Sequence, residues 1–139
     1  MAVERSLILI KPDAVQRRLS GEILSRIEAR GFTVCAGKLV SVSRDLGERH
    51  YAEHKEKSFF GELVEFITSG RTWALVVEGE DVIATLRKTI GATNPADADP
   101  GSIRGDLAMS MPDNLVHGSD SPESAEREIA LWFSDDELA

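Results

Sequence analysis

The sequence lacks the features that mark several large classes of protein. Its 139 residues include one cysteine, Cys35, so no disulfide framework can form, which favours a reducing compartment. The apolar run Leu7–Ile10 is far too short for a signal peptide, and no stretch approaches the length of a membrane span. The glycine-rich motifs of P-loop and dinucleotide-binding proteins are also missing. We therefore expect a cytoplasmic protein that is not held in a membrane.

Positive charge is scarce as well. Sixteen Lys and Arg residues face 24 Asp and Glu residues, which gives a net charge of −8. This charge makes nucleic acid an unexpected partner, although a few local cations could still hold a small anion. The length and the absence of an internal linker predict a single domain over residues 1–139.

The pattern of apolar residues predicts four strands. Continuous apolar residues at Leu7–Ile10 and Trp73–Val77 indicate buried strands, and alternation between Phe32 and Ser43 indicates a strand with one buried face. The brief apolar step Leu115–Val116 predicts the last strand. Pro12 is expected to end the first strand.

Five helices are predicted between these strands. The first runs from Ser20, a possible N-cap, to Gly31, and the second runs from an N-cap at Asp45 to about His54. The third runs from Phe60 to near Gly70, and the fourth runs from an N-cap at Asp81 to Gly91. The fifth follows the last strand and runs from Ser121–Pro122 to Phe133. Residues 92–113 contain three prolines and two glycines, and we expect a long functional loop with little regular structure. The acidic tail at Asp135–Glu137 is expected to fray. The order of elements predicts an α+β fold, a ferredoxin-like split βαβ antiparallel sheet covered by helices.

His117 is the histidine that the local sequence singles out for chemistry. It follows an apolar strand end and precedes a turn of small polar residues, where Ser119 could donate a hydrogen bond to an anion. A helix that begins near Ser121 would aim its N-terminus at this turn. Glu128 on that helix could fix the tautomer of the imidazole. The alternative is a histidine satisfied within a turn, beside a solvated Glu128.

Three cations could bind phosphate. Lys11 follows a buried strand, Arg87 lies beside the apolar stripe of a predicted helix, and Arg104 lies in the glycine-punctuated loop. Each could equally be an ordinary surface residue. His50 and His54 have the spacing of a helical metal-binding pair, but no third ligand is evident, and a solvated helix face is favoured.

Several longer motifs occur together along the chain. Asn114–Ser121 reads NLVHGSDS and Pro100–Asp106 reads PGSIRGD. Further stretches of the same kind are Ile10–Asp13, His50–Tyr51, Phe59–Gly61, Thr93–Asp97, Glu123–Glu126 and Glu128–Phe133. Together they resemble the nucleoside diphosphate kinase family from about Glu4 to about Glu137. The end of the chain soon after Phe133 is similar to the shorter bacterial type.

The resemblance implies a ping-pong reaction in which His117 takes the terminal phosphate of a nucleoside triphosphate and passes it to a nucleoside diphosphate. It implies binding roles for nine further residues: phosphate contacts for Arg87, Thr93 and Arg104, ribose and phosphate contacts for Lys11 and Asn114, hydrogen bonds at the reacting group for Tyr51 and Ser119, orientation of His117 by Glu128, and stacking on the base by Phe59. Such stacking tolerates every base, which favours broad base specificity.

The resemblance also implies partners. Mg²⁺ is expected as cofactor, held mainly by the phosphates of the nucleotide, so no protein residue is predicted as a metal ligand. A homo-oligomer is expected, and a hexamer is favoured over a tetramer. The sequence departs from the usual family pattern at three positions, Ser58, Arg71 and Asp113.

Two functions of other classes remain open at this stage. The protein could be a ferredoxin-like module that has kept the nucleotide site but acts by binding a protein partner. Nucleic-acid binding through Phe59 and the arginines is the other alternative, and the net charge of −8 opposes it.

Overall fold

A four-stranded antiparallel sheet forms the centre of the protein in the computed structural model, which describes residues 3–138. Its strands are β1 (Val3–Ile10), β2 (Thr33–Ser41), β3 (Arg71–Glu80) and β4 (Val116–Gly118), in the order β2-β3-β1-β4. Both neighbours of β1 run antiparallel to it. The predicted split βαβ, ferredoxin-like arrangement is therefore confirmed.

Helices cover the sheet on both faces. Within residues 3–138 they are α1 (Pro12–Gln16), α2 (Ser20–Ala29), α3 (Arg44–His50), α4 (Phe60–Ile67), α5 (Val82–Ile90), α6 (Ile103–Leu107) and α7 (Pro122–Trp132), with short 3-10 turns at Ala52–His54, Pro95–Asp97 and Asp135–Glu137. None of these helices is long and apolar enough to cross a membrane.

The alternation of side chains along β1 divides the core into two layers. Ile8 and Ile10 pack with α2 and α5 on one face, whereas Leu7 and Leu9 pack with the end of α7 on the other. Every one of these four residues is at most 2% exposed. The sheet is thus a rigid base, and β4 and the first residues after β1 are fixed to it.

Several predicted boundaries are wrong for local reasons. Pro12 begins α1, a helix that was not predicted, because proline suits the first helical position. The side chain of Ser43, not Asp45, caps α3 by accepting a hydrogen bond from the backbone N–H of Leu46. Leu19 occupies the N-cap position of α2, so Ser20 lies inside the helix. Asp81 stands at the N-cap of α5, but its side chain makes no capping bond there.

The alternation predicted for β2, with Lys38 as its exception, is interrupted by a bulge. The register with β3 shifts between Val34 and Ala36, so that Cys35 is an extra residue in a β-bulge. Val34 therefore packs with the first core layer, whereas Ala36 and Val40 pack with the second.

The segment 92–113 and the acidic tail contain more structure than predicted. The former includes α6, whose N-cap Ser102 accepts from the backbone N–H of Gly105. In the tail, Glu137 lies 2.8 Å from the Lys38 ammonium, which ties this end of the chain to β2.

Candidate active site

β4 places the imidazole of His117 in a cleft, and one ring nitrogen is held from behind. The Nε2 atom lies 2.9 Å from Oε1 of Glu128, and the hydroxyl of Ser119 donates to the same oxygen at 2.8 Å. Burial opposes ionisation of Glu128, but these hydrogen bonds outweigh it and hold its pKa below the ordinary value. Because an ionised carboxylate only accepts, Nε2 carries the proton and Nδ1 keeps the lone pair.

A second histidine supports the first. The rings of His50 and His117 lie edge to face, with centroids 4.8 Å apart. The indole of Trp132 donates to Nδ1 of His50 at 3.1 Å. Burial, together with the neighbouring His117, lowers the pKa of His50 to about 3, so this ring is neutral at ordinary pH.

This arrangement corrects the interpretation of His50 as part of a solvated helix face. His50 is 3% exposed, and its potential ligand atoms lie within 4.8 Å of those of His117 and Glu128. His54 stands apart from this group, in the 3-10 turn. Hydrogen bonds already occupy Nε2 of His117, Oε1 of Glu128 and Nδ1 of His50, so the cluster acts as a hydrogen-bonded support behind the reactive ring.

Two buried cations stand beside His117. Lys11 donates to the side-chain oxygen of Asn114, and burial lowers the pKa of Lys11 to about 8, with Asp13 opposing this shift and Arg104 adding to it. Burial, followed by the charge of Arg87, lowers the pKa of Arg104 to about 10. Both groups therefore remain mainly positive at pH 7.

Arg104 also holds the surrounding backbone together. Its guanidinium donates to the carbonyl oxygens of Gly91 and Asn114, each at 3.1 Å, and to that of Val116. Arg87, by contrast, is exposed and makes one long contact of 3.4 Å with the carbonyl of Gly118. Arg104 is thus fixed to the backbone at the floor of the cleft, whereas Arg87 projects from α5.

A cleft of about 510 Å³ brings most of the predicted residues together. Eight of the ten line it: Lys11, Tyr51, Phe59, Arg87, Thr93, Arg104, Asn114 and His117. The remaining two, Ser119 and Glu128, lie buried behind His117. Ser119 donates to Glu128 in this structure, so its hydroxyl supports the carboxylate that holds His117.

The entrance of the cleft is apolar. Phe59 is 43% exposed and Met111 is 55% exposed, and both line the opening. Phe60, the next residue along the chain, is only half-buried. Burial raises the pKa of Tyr51 to about 12, with the charge of Glu128 adding to the effect, so its hydroxyl keeps its proton.

The three departures from the family pattern lie outside the floor of the cleft. Ser58 is exposed beside Phe59, and Arg71 begins β3, as expected for a structural position. Asp113 is exposed, and its charge partly offsets the lowering of the Lys11 pKa.

Sequence reasoning missed the support formed by His50 and Trp132. The sequence presents His50 as one of a helical pair with His54 and beside Tyr51 in a matching stretch, and it presents Trp132 only within the matching stretch Glu128–Phe133. Their contact spans 82 residues, and no local periodicity signals such a pairing.

Comparisons with known proteins agree with this geometry. The family model described as nucleoside diphosphate kinase matches residues 4–138. A protein named nucleoside diphosphate kinase from Halalkalibacterium halodurans is 60% identical over 98% of this chain and 92% of its own length. One of the same name from Rubrobacter xylanophilus is 61% identical over 94% of this chain and 98% of its own length.

Solved structures give the same result. A halophilic nucleoside diphosphate kinase from Halobacterium salinarum in complex with CDP is similar with a TM-score of 0.96 at 47% identity, covering 99% of this chain and 92% of that one. The nucleoside diphosphate kinase of Aquifex aeolicus has a TM-score of 0.97 at 42% identity, covering 99% and 100%.

Proposed function

The chain belongs to the nucleoside diphosphate kinase family, and on this premise we propose how its cleft carries out the reaction. The protein is an enzyme that transfers phosphate between nucleotides. We propose that the transfer is ping-pong and runs through a phosphohistidine on His117. The observation that carries this assignment is the hydrogen bond from Nε2 of His117 to Glu128, which leaves the lone pair on Nδ1.

In the first half-reaction, Nδ1 of His117 attacks the terminal phosphorus of a nucleoside triphosphate. A bond from nitrogen to phosphorus forms, the bond from phosphorus to the bridging oxygen breaks, and the nucleoside diphosphate leaves with the electron pair. Glu128 stabilises the positive charge that develops on the ring. A second nucleoside diphosphate then attacks the phosphohistidine, which reverses these steps.

Phosphoryl transfer depends on positioning and on neutralising charge. Lys11 and Arg104 supply fixed positive charge at the floor of the cleft, because both are buried and hydrogen-bonded. Arg87 and Thr93 approach from its edge, where they are exposed. The side chain of Asn114 accepts from Lys11 and donates to the carbonyl of Thr93, so it links the floor of the cleft to its edge.

The chemistry of the cleft fits Mg²⁺ held mainly by the nucleotide. The lining offers two arginines and a lysine, and Glu62 is the carboxylate among its residues. A hard cation takes oxygen ligands, and the phosphates supply them once bound. When bound with the nucleotide, Mg²⁺ would supply further positive charge against the phosphates, and Lys11, Arg87 and Arg104 would contact the phosphate oxygens from the protein side.

We propose broad base specificity for the same site. The exposed face of Phe59 can stack on any base, since every base has a flat apolar face. The family resemblance further supports a cytoplasmic location and a homo-oligomer, a hexamer more than a tetramer. Sedimentation of the purified protein would measure the number of subunits.

Incubation of the protein with γ-labelled ATP tests the proposal. We expect label on the protein that is stable in base and labile in acid, and we expect unlabelled nucleoside diphosphate to remove it. His117→Ala is the matched control and should remain unlabelled while its circular dichroism matches the wild type. Labelling of His117→Ala at the wild-type level would overturn the assignment of the nucleophile.

A further inference from the structure

The backbone just before His117 is strained. Leu115 has φ +74°, a left-handed value that a bulky side chain rarely adopts. The N–H of Val116 donates to the carbonyl of Asn114 at 2.9 Å, which closes a three-residue turn centred on Leu115. A positive φ with this hydrogen bond is the rare, strained form of the γ-turn. Such a turn persists only where its surroundings hold it in place.

The segment after β1 holds this turn from both sides of Leu115. A carboxylate oxygen of Asp13 accepts from the N–H of Leu115 at 3.0 Å. The N–H of Lys11 donates to the carbonyl of Leu115 at 2.8 Å. Both backbone polar groups of the strained residue are therefore satisfied by two positions on one short segment, and its side chain is fully buried.

The turn sets two residues of the proposed reaction. Asn114, at its first position, bonds to the ammonium of Lys11. The last position, Val116, begins β4, and His117 follows it directly. A change in the turn would therefore move the amide that contacts Lys11 and the start of the strand that carries the nucleophile.

Asp13 has no role in the reaction described so far, and its environment is unusual for a carboxylate. It is only partly exposed, and its second oxygen is buried with no hydrogen-bond partner among the described residues. Its charge also acts on Lys11, whose other charged neighbours are Arg104 on α6 and Asp113 before β4.

We propose that Asp13 is a positioning residue for the phosphate transfer: its carboxylate holds the strained turn at Leu115 and sustains the positive charge of Lys11. The inference rests on the proposed function of His117. Asp13 acts through the backbone of Leu115 and through the charge of Lys11, so it need not touch the nucleotide.

Two substitutions separate these effects. Asp13→Asn keeps an oxygen that can accept from Leu115 but removes the charge, whereas Asp13→Ala removes both. Asp45→Asn is the matched control, because the side chain of Asp45 is 80% exposed on α3. For each protein we would measure amide hydrogen exchange at Leu115 by NMR and the single-turnover rate of His117 phosphorylation by MgATP against pH.

We expect Asp13→Ala to speed exchange at Leu115 by about tenfold or more, since the N–H loses its acceptor. Its phosphorylation rate should fall by about 100-fold, the scale of a displaced reacting group. Asp13→Asn should lose less than about tenfold at pH 7, because a neutral acceptor is weaker but present.

The pH profile supplies the readout that a purely structural role would not move. A neighbouring carboxylate favours the charged form of Lys11, so its removal should move the alkaline fall in rate of Asp13→Asn to lower pH by about 1 unit. An Asp13→Ala protein with wild-type exchange and rate would overturn the proposal. The proposal would also be overturned if both variants lost the same fraction of the phosphorylation rate and the fall in rate at alkaline pH stayed where it is in the wild type. A wild-type protein that takes no phosphate would instead overturn the proposed function, and the Leu115 exchange would still decide the role of Asp13 in the turn.

Discussion

The floor and the rim of the cleft are built in different ways. The floor is formed by Lys11, Arg104, Asn114 and His117, and the rim by Phe59, Arg87, Thr93 and Met111. Three floor residues are at most 8% exposed and hydrogen-bonded to one another or to the backbone, whereas every rim residue is exposed. Charge placed on a fixed floor costs little reorganisation during the reaction. A loosely held rim can accept different bases.

The largest difference between floor and rim is expected when the two arginines are replaced, and it should appear in the free energy of unfolding. Arg104→Ala and Arg87→Ala should each weaken the transition state by about 2–4 kcal/mol, the scale of a preorganised electrostatic contact. Arg104→Ala should also lower the free energy of unfolding, because three backbone carbonyls lose their donor. Urea titrations together with kcat/KM would measure both effects. Equal losses of unfolding free energy in the two variants would contradict the distinction.

The support behind the floor should matter less than the floor itself. Glu128→Gln keeps the shape of the side chain but removes the charge that faces Nε2 of His117. We expect His117 phosphorylation to slow by about 10–100-fold, the range of a contact that orients a reactive group. Rapid-quench measurements of phosphorylation would give the rate, with the exposed Glu126→Gln on the same helix as control. A rate within twofold of the wild type would show that Glu128 does not orient the ring.

His50 makes the same support sensitive to acid. The folded protein holds the pKa of His50 near 3, whereas the unfolded chain binds a proton near pH 6.5. Acid therefore favours the unfolded chain, and His50 alone should remove about 2 kcal/mol of unfolding free energy between pH 7 and pH 5. Denaturant titrations at both pH values should show a smaller loss in His50→Asn than in the wild type. Equal losses would mean that His50 titrates alike in both states.

The smallest effect is expected at the rim. Phe59→Ala should lower kcat/KM by about 1 kcal/mol, because an exposed ring offers only part of a full stacking contact. The loss should be similar for ATP, GTP, CTP and UTP, and the wild type should use all four within about tenfold of one another. A preference beyond about a hundredfold for one base would show that a polar group reads its edge, and the rim would then be as specific as the floor.

The contrast also explains which parts of the site could be found from sequence. Residues of the floor follow regular elements or lie in motifs of distinctive composition, as Lys11 does after β1 and His117 does in β4. The support formed by His50 and Trp132 joins α3 to α7 across 82 residues, and nothing near either residue signals the other. The hydrogen bond from Ser119 to Glu128 is a pairing of the same kind, since Glu128 lies on the next helix.

The sequence by itself determined the order of the four strands and of five helices, the split βαβ sheet and the eight predicted residues that meet in the cleft. Those features depend on apolar spacing and on motifs that are local in the chain. Only the tertiary structure decided the bulge at Cys35, the strained turn at Leu115 and the buried state of His50. Each of these depends on hydrogen bonds and packing between distant segments, which override local preference when they bury polar groups with their partners.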